Sequence, residues 1–112
     1  MIGLGDQNAS FRVYVENRPK MPQYQQLFDC EAMQKGDIDL IYQHCGNGWR
    51  KLFNVYAKLL FALPASFGFL QQASSWQAYR DSFLLQASSN TALLFSPPQL
   101  EPASDTLHII AG

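Results

Sequence analysis

A chain of 112 residues, 47% of them apolar, is long enough to bury a core without a metal or disulfide staple. Its net charge of −1 argues against a general nucleic-acid binder, which needs a basic excess, and leaves a local cationic patch as the remaining route to that function. Only 15% of residues are charged and 13% are aromatic, so some aromatic surface is expected to be buried in a homodimer.

The two cysteines, Cys30 and Cys45, lack C-x-x-C spacing and read as free thiols of a cytoplasmic protein. Met1 to Asp6 has neither the basic nor the apolar region of a signal peptide. The longest apolar region, Leu59 to Leu70, is broken by Pro64, Ser66 and Gly68 and falls short of the ~20 residues of a membrane span. The expectation is one soluble domain over residues 1–112, with no membrane partner.

Residues 1–10 are rich in Gly, Asp, Asn and Ser and read as a loose lead-in. Phe11 to Glu16 alternates apolar and polar, as a half-buried strand at or near a sheet edge does. Pro19 and Pro22 mark a turn, and Pro22 suits the first position of a helix whose stripe is Tyr24, Leu27, Phe28 and Ala32, running through Met33 to a stop at Lys35-Gly36. Residues 37–45 fit strand and helix alike; Asp37 as an N-cap favours a short helix.

The strongest periodicity follows. Trp49, Leu52, Phe53, Tyr56, Leu60 and Leu63 form one apolar stripe of a helix spanning Gly46 to Leu63 and stopped by Pro64. Arg50, Asn54 and Lys58 step along its polar face, with Lys51 beside them. Ser74-Ser75-Trp76-Gln77 has the form of a capping box for a further helix lined by Trp76, Tyr79, Phe83 and Ala87. Thr91 to Phe95 and Thr106 to Ala111 are nearly continuous apolar runs, expected as strands covered on both faces and joined by the proline-rich loop 96–102. The chain ends on a strand, which leaves open a further C-terminal portion. The fold class is α/β: a small sheet of about three strands with helices packed on it in three layers, the alternative being a two-layer α+β sheet.

The first candidate site is Gly46, Asn47, Gly48, Arg50 and Lys51. Free N–H groups at a helix start, flanked by two cations, can hold a phosphorylated small molecule or nucleotide. The spacing is neither a Walker A loop nor a dinucleotide fingerprint, and the simpler reading is a turn between helices with Asn47 as N-cap. A second candidate is single-stranded nucleic acid on Arg50, Lys51 and Lys58 with Trp49 or Trp76 stacking on a base. His44, Cys45 and His108 do not form a recognisable nucleophile and base, and Cys30 and Cys45 are too far apart in sequence for a zinc pattern. Asp29, Glu31, Asp37 and Asp39 read as caps and surface acids rather than metal ligands. No catalytic residue, metal or cofactor is assigned. The reading is a binding or assembly protein without its own catalytic constellation.

Overall fold

The computed structural model describes residues 1–98 and 105–111. The chain divides into two compact units, one built from Met1–Met33 and Leu85–Gly112, the other from Gln34–Leu84. The first holds a mixed sheet and the second holds most of the helical residues, so the α/β class is observed.

The sheet has five strands rather than about three: β1 Gly3–Gly5, β2 Phe11–Tyr14, β3 Cys30–Glu31, β4 Thr91–Leu94 and β5 Leu107–Ile110, in the order β3-β1-β4-β2-β5. Strand β4 lies at the centre, parallel to β2 and antiparallel to β1, and all four of its residues are buried. Its continuous apolar run therefore reports two covered faces, as expected. The same inference fails for β5. Among the described residues that strand pairs only with β2, at the sheet edge, and it exposes 48% of Leu107 and 73% of Ile110. Strand β2 lies next to that edge, but Tyr14, on its supposed polar face, is buried.

Strand β1 is absent from the sequence reading because it has almost no side chains to read. A Cβ at Gly3 or Gly5 would overlap the carbonyl oxygens of Leu93 and Thr91. Gly5 also sits at φ 121°, a region only glycine enters freely. The two glycines thus let β1 approach β4 closely. Residues 6–10 then cross the entry of β4 to reach β2 on its other side. The crossing is tied at both ends. Asp6 N–H donates to the Thr91 carbonyl at 2.9 Å, Asn90 N–H donates to Asp6 Oδ2 at 3.0 Å, and Ser10 N–H donates to Asn90 Oδ1 at 2.7 Å.

Helix α1 covers only Pro22–Gln25, and the continuation expected to Met33 becomes a turn and β3. Arg18 explains the stop. Its Nη1 donates to the carbonyls of Tyr24, Gln25 and Leu27 at 3.2, 3.0 and 2.9 Å, occupying acceptors that a continuing helix needs. Tyr24 and Leu27 are buried, whereas Phe28 is 88% exposed, so the buried stripe stops two residues past the helix.

The helical unit contains α2 Asp37–Cys45, α3 Asn47–Phe61 and α4 Trp76–Ser82. Phe53, Tyr56 and Leu60 of the α3 stripe are buried, joined by Ala57. The caps lie one residue from where sequence places them. Gly36, at φ 96°, precedes α2, so Asp37 is its first helical residue and accepts the Gln34 N–H at 2.8 Å. Gly46, at φ 94°, ends α2 and starts α3, so Asn47 is helical and not the N-cap. Ser75, not Ser74, caps α4 by accepting the Ala78 N–H at 3.1 Å, which moves Gln77 out of the reciprocal position. The helix stops at Ser82 rather than Ala87, before a segment in which Leu85, Ser88 and Asn90 all have φ near 60°. Of the proline-rich loop, residues 99–102 lie outside the described residues.

Gly5→Ala is expected to lower stability by about 2–4 kcal/mol, because it adds positive-φ strain to an overlap with backbone. Gly36→Ala, at a similar φ but with nothing within 4 Å of the new Cβ, is expected to cost about 1 kcal/mol. Urea unfolding of the two variants beside the parent measures the contrast.

Candidate functional site

Helix α3 turns its polar stripe toward groups from α2 and α4. Asn54 Oδ1 accepts two hydrogen bonds, from the Tyr42 hydroxyl at 2.9 Å and from Arg80 Nη1 at 2.8 Å. The opposite side of the Arg80 guanidinium is held by Asp81, through Nε to Oδ1 at 2.8 Å and Nη2 to Oδ2 at 3.2 Å. Arg80 therefore sits in a fixed fork geometry rather than swinging in solvent. Its Cζ lies 5.5 Å from the Tyr42 ring centre and 5.4 Å from that of Trp76. One turn beyond Asn54, the Lys58 ammonium lies 4.7 Å from the centre of the same indole. Trp76 is half-buried and Lys58 is exposed. Two cations thus converge on one aromatic ring, a geometry favoured by the negative π face.

The electrostatics follow from that packing. Burial pushes the Tyr42 hydroxyl pKa up, against the pull of the Arg80 charge. The hydrogen bonds to Asp81 raise the Arg80 pKa further, so the guanidinium stays charged. Between Asn47 and Ser82 the chain carries Arg50, Lys51, Lys58 and Arg80 against one acid, Asp81, a local balance of +3 in a chain of net −1. Of these cations, Lys58 and Arg80 are brought together at the ring of Trp76.

The sequence-assigned anion site lies on the same helix, at its start. Gly46, Asn47, Gly48, Arg50 and Lys51 are all exposed, and no side chain caps the N-terminus of α3. The N-cap residue therefore offers the first-turn N–H groups no side-chain acceptor, and no acid lies in that turn. One feature works the other way. The C-terminal end of α2 meets the same glycine, so its negative dipole end offsets part of the positive end of α3. Of the two tryptophans, Trp76 joins the basic stripe, whereas Trp49 lies tilted against Phe53, 6.2 Å between ring centres. Tyr42 and Arg80 were not singled out from sequence. The available signal was the spacing of Trp76 and Arg80, four residues apart and hence on one helix face.

The remaining candidates separate. Cys30 is buried with its thiol 3.7 Å from the Gly5 carbonyl, and burial, helped by the charges of Asp29 and Asp6, pushes its pKa up to about 11. A thiol held protonated is a poor nucleophile. His108 Nδ1 is 2.6 Å from the Tyr14 hydroxyl, a pairing across β2 and β5. Asp39 accepts from Gln43 at 2.8 Å and Asp29 from the Cys30 N–H at 2.8 Å. Among the described residues no group of three or more His, Cys, Asp or Glu is placed to hold a metal ion, and no helix is long and apolar enough to cross a membrane.

The chain matches the model of a family of unknown function, DUF6942, over residues 2–112. No curated protein and no solved structure matches it.

Arg80→Ala is expected to destabilise the protein by about 1–3 kcal/mol, since it removes a charged donor that bonds Asn54 and Asp81 and packs on Trp76. Arg80→Lys is expected to recover little, because an ammonium cannot reproduce the fork; thermal unfolding of both variants checks this. For Cys30 the folded pKa is the higher one, so the unfolded chain releases its proton first as pH rises. Stability is therefore expected to fall between pH 9 and about 11, and Cys30→Ala should flatten that fall in chemical denaturation.

Proposed function

The chain belongs to the DUF6942 family, of unknown function, and we propose that it is a cytosolic, single-domain binding protein for a phosphorylated ligand that carries a flat base, a nucleotide or a short single strand of nucleic acid. The observation that carries this reading is the convergence of Lys58 and Arg80 on the ring of Trp76, with Arg50 on the same stripe of α3. A base stacks on a half-buried indole, and the surrounding cations meet phosphate. Arg50 and Lys58 are eight residues apart, about 12 Å along a helix. A ligand that touches both must therefore be longer than a single phosphate, which favours a nucleotide over an inorganic anion. The open N-terminus of α3 at Gly46, Asn47 and Gly48, with Lys51 adjacent, is the second contact in this proposal.

The role is binding, with no catalytic step, metal or cofactor assigned. A cytosolic location is supported by the free thiols of Cys30 and Cys45. Treatment as one domain is supported by the sheet unit, which draws on both ends of the chain. Self-association is a second reading, favoured by a separate observation: Ile110 on the edge strand is 73% exposed.

Thermal unfolding against phosphate, sulfate, mononucleotides and short single-stranded oligonucleotides tests the binding reading. A ligand at a hundred times its dissociation constant is expected to stabilise by about 2.7 kcal/mol, with quenching of tryptophan fluorescence. Trp76→Ala and Lys58→Ala should remove the nucleotide response. A flat panel, or a response that survives both substitutions, overturns it.

A further inference from the structure

We propose that β5 is a self-pairing edge, through which two copies of this chain join their sheets antiparallel; the inference rests on the self-association reading above. The backbone of β5 presents hydrogen-bonding groups on its outer side. Leu107 and Ala111 donate their N–H groups inward, to the carbonyls of Ser10 and Tyr14 at 2.7 and 2.9 Å. Alternation along a strand therefore turns the N–H and C=O groups of His108 and Ile110 outward, away from β2. The outermost position of β5 in the sheet leaves those groups facing no other strand among the described residues.

The sequence of β5 lacks the usual protection of an edge. Natural edges are blunted by lysine, proline, bulges or very short strands. Residues 107–111 read Leu-His-Ile-Ile-Ala, with no lysine, no proline and no acid. Leu107 and Ile110 are both exposed and point to opposite faces of the sheet, as odd and even positions of a strand must. A helix laid on one face covers only one of them, whereas a strand added in the plane of the sheet flanks both. An uncharged edge also offers no counter-charge to an acidic or basic peptide, and it opposes its own copy without like-charge repulsion.

The proposed register centres on Ile109. Antiparallel pairing about a two-fold axis at Ile109 sets His108 opposite the partner's Ile110, and Ile110 opposite the partner's His108. All four residues have outward backbone groups, so the pairing forms four hydrogen bonds. Each exposed Ile110 side chain then lies beside the partner's His108 ring, which its own Tyr14 holds at 2.6 Å. The opposite edge does not compete. Strand β3 is two residues long and carries exposed Glu31, so edges pair β5 to β5 and the assembly closes as a dimer rather than growing into a fibre.

Light scattering on the full chain across a dilution series tests this, with Ile110→Pro and Ile110→Lys as variants. Proline removes the outward N–H while remaining compatible with an edge strand; lysine adds a like-charge pair across the axis. Circular dichroism and cooperative unfolding establish that each variant is folded, and a variant that fails this check leaves the decision to the other. The expected result is twice the chain mass for the parent and one chain mass for the folded variant. A parent that stays monomeric at high concentration overturns both this inference and the self-association reading. A folded variant that remains dimeric overturns the β5 register alone and places the interface elsewhere.

Discussion

The sheet depends on how its central strand is admitted. Strands β1 and β2 are close in sequence, yet β4 lies between them, so the residues joining them must arch over its entry. Thr91 stands at that entry and is the buried polar residue among the described ones. Its hydroxyl accepts the Leu85 N–H at 3.0 Å and is 2.7 Å from the Ser89 hydroxyl, while its carbonyl receives the Asp6 N–H. A buried hydroxyl without partners costs energy, and here the segment leading into β4 engages it, while the crossing from β1 engages the carbonyl of the same residue. Leu85, Ser88 and Asn90 take left-handed backbone conformations to deliver the chain to this point. The Thr91 and Asp6 hydrogen bonds offset that strain, and with them the close glycine contact of β1 becomes possible.

The helical unit uses a different logic. Its core is the aromatic and aliphatic stripe of α3, and its polar face is organised by one guanidinium. Arg80 joins a carboxylate, an amide and two rings, so the same side chain orders the surface and concentrates positive charge there. A merely structural role for this cluster accounts for Tyr42, Asn54 and Asp81. It accounts less well for Lys58, which is exposed and yet set over Trp76. That residue is the reason to look for a ligand on this face.

Side-chain patterns made α3, β4 and the location of β2 legible, because each repeats with the period of its own backbone. The segment 37–45 was readable as helix only through its glycine and aspartate flanks. Strand β1 was hidden for the opposite reason: Gly-Leu-Gly carries one apolar side chain and no alternation. The overlong helix after Pro22 shows a tertiary contact overriding local preference, since Arg18 claims the carbonyls from outside the helix. For β5 an apolar run stood for burial, but an edge strand with an uncharged sequence has the same run. The basic stripe was visible along α3, while its junction with Arg80 depended on the packing of α4, which periodicity does not supply.

The arrangement of the sheet also sets an order of events. Gly3 pairs with Leu94 and Arg12 with Ala92, so β1 and β2 have no central neighbour until residues 91–94 have been made. At the ~5–20 residues per second of synthesis, the 80 residues separating Arg12 from Ala92 take about 4–16 s. Through that interval Phe11, Val13 and Tyr14 are unshielded, while residues 34–84, whose contacts are mostly between neighbouring helices, can already close on themselves. The contacts of residues 34–84 are thus complete before those of the sheet can be. The vulnerable period for misassociation or chaperone capture belongs to the amino-terminal strands and ends when β4 arrives.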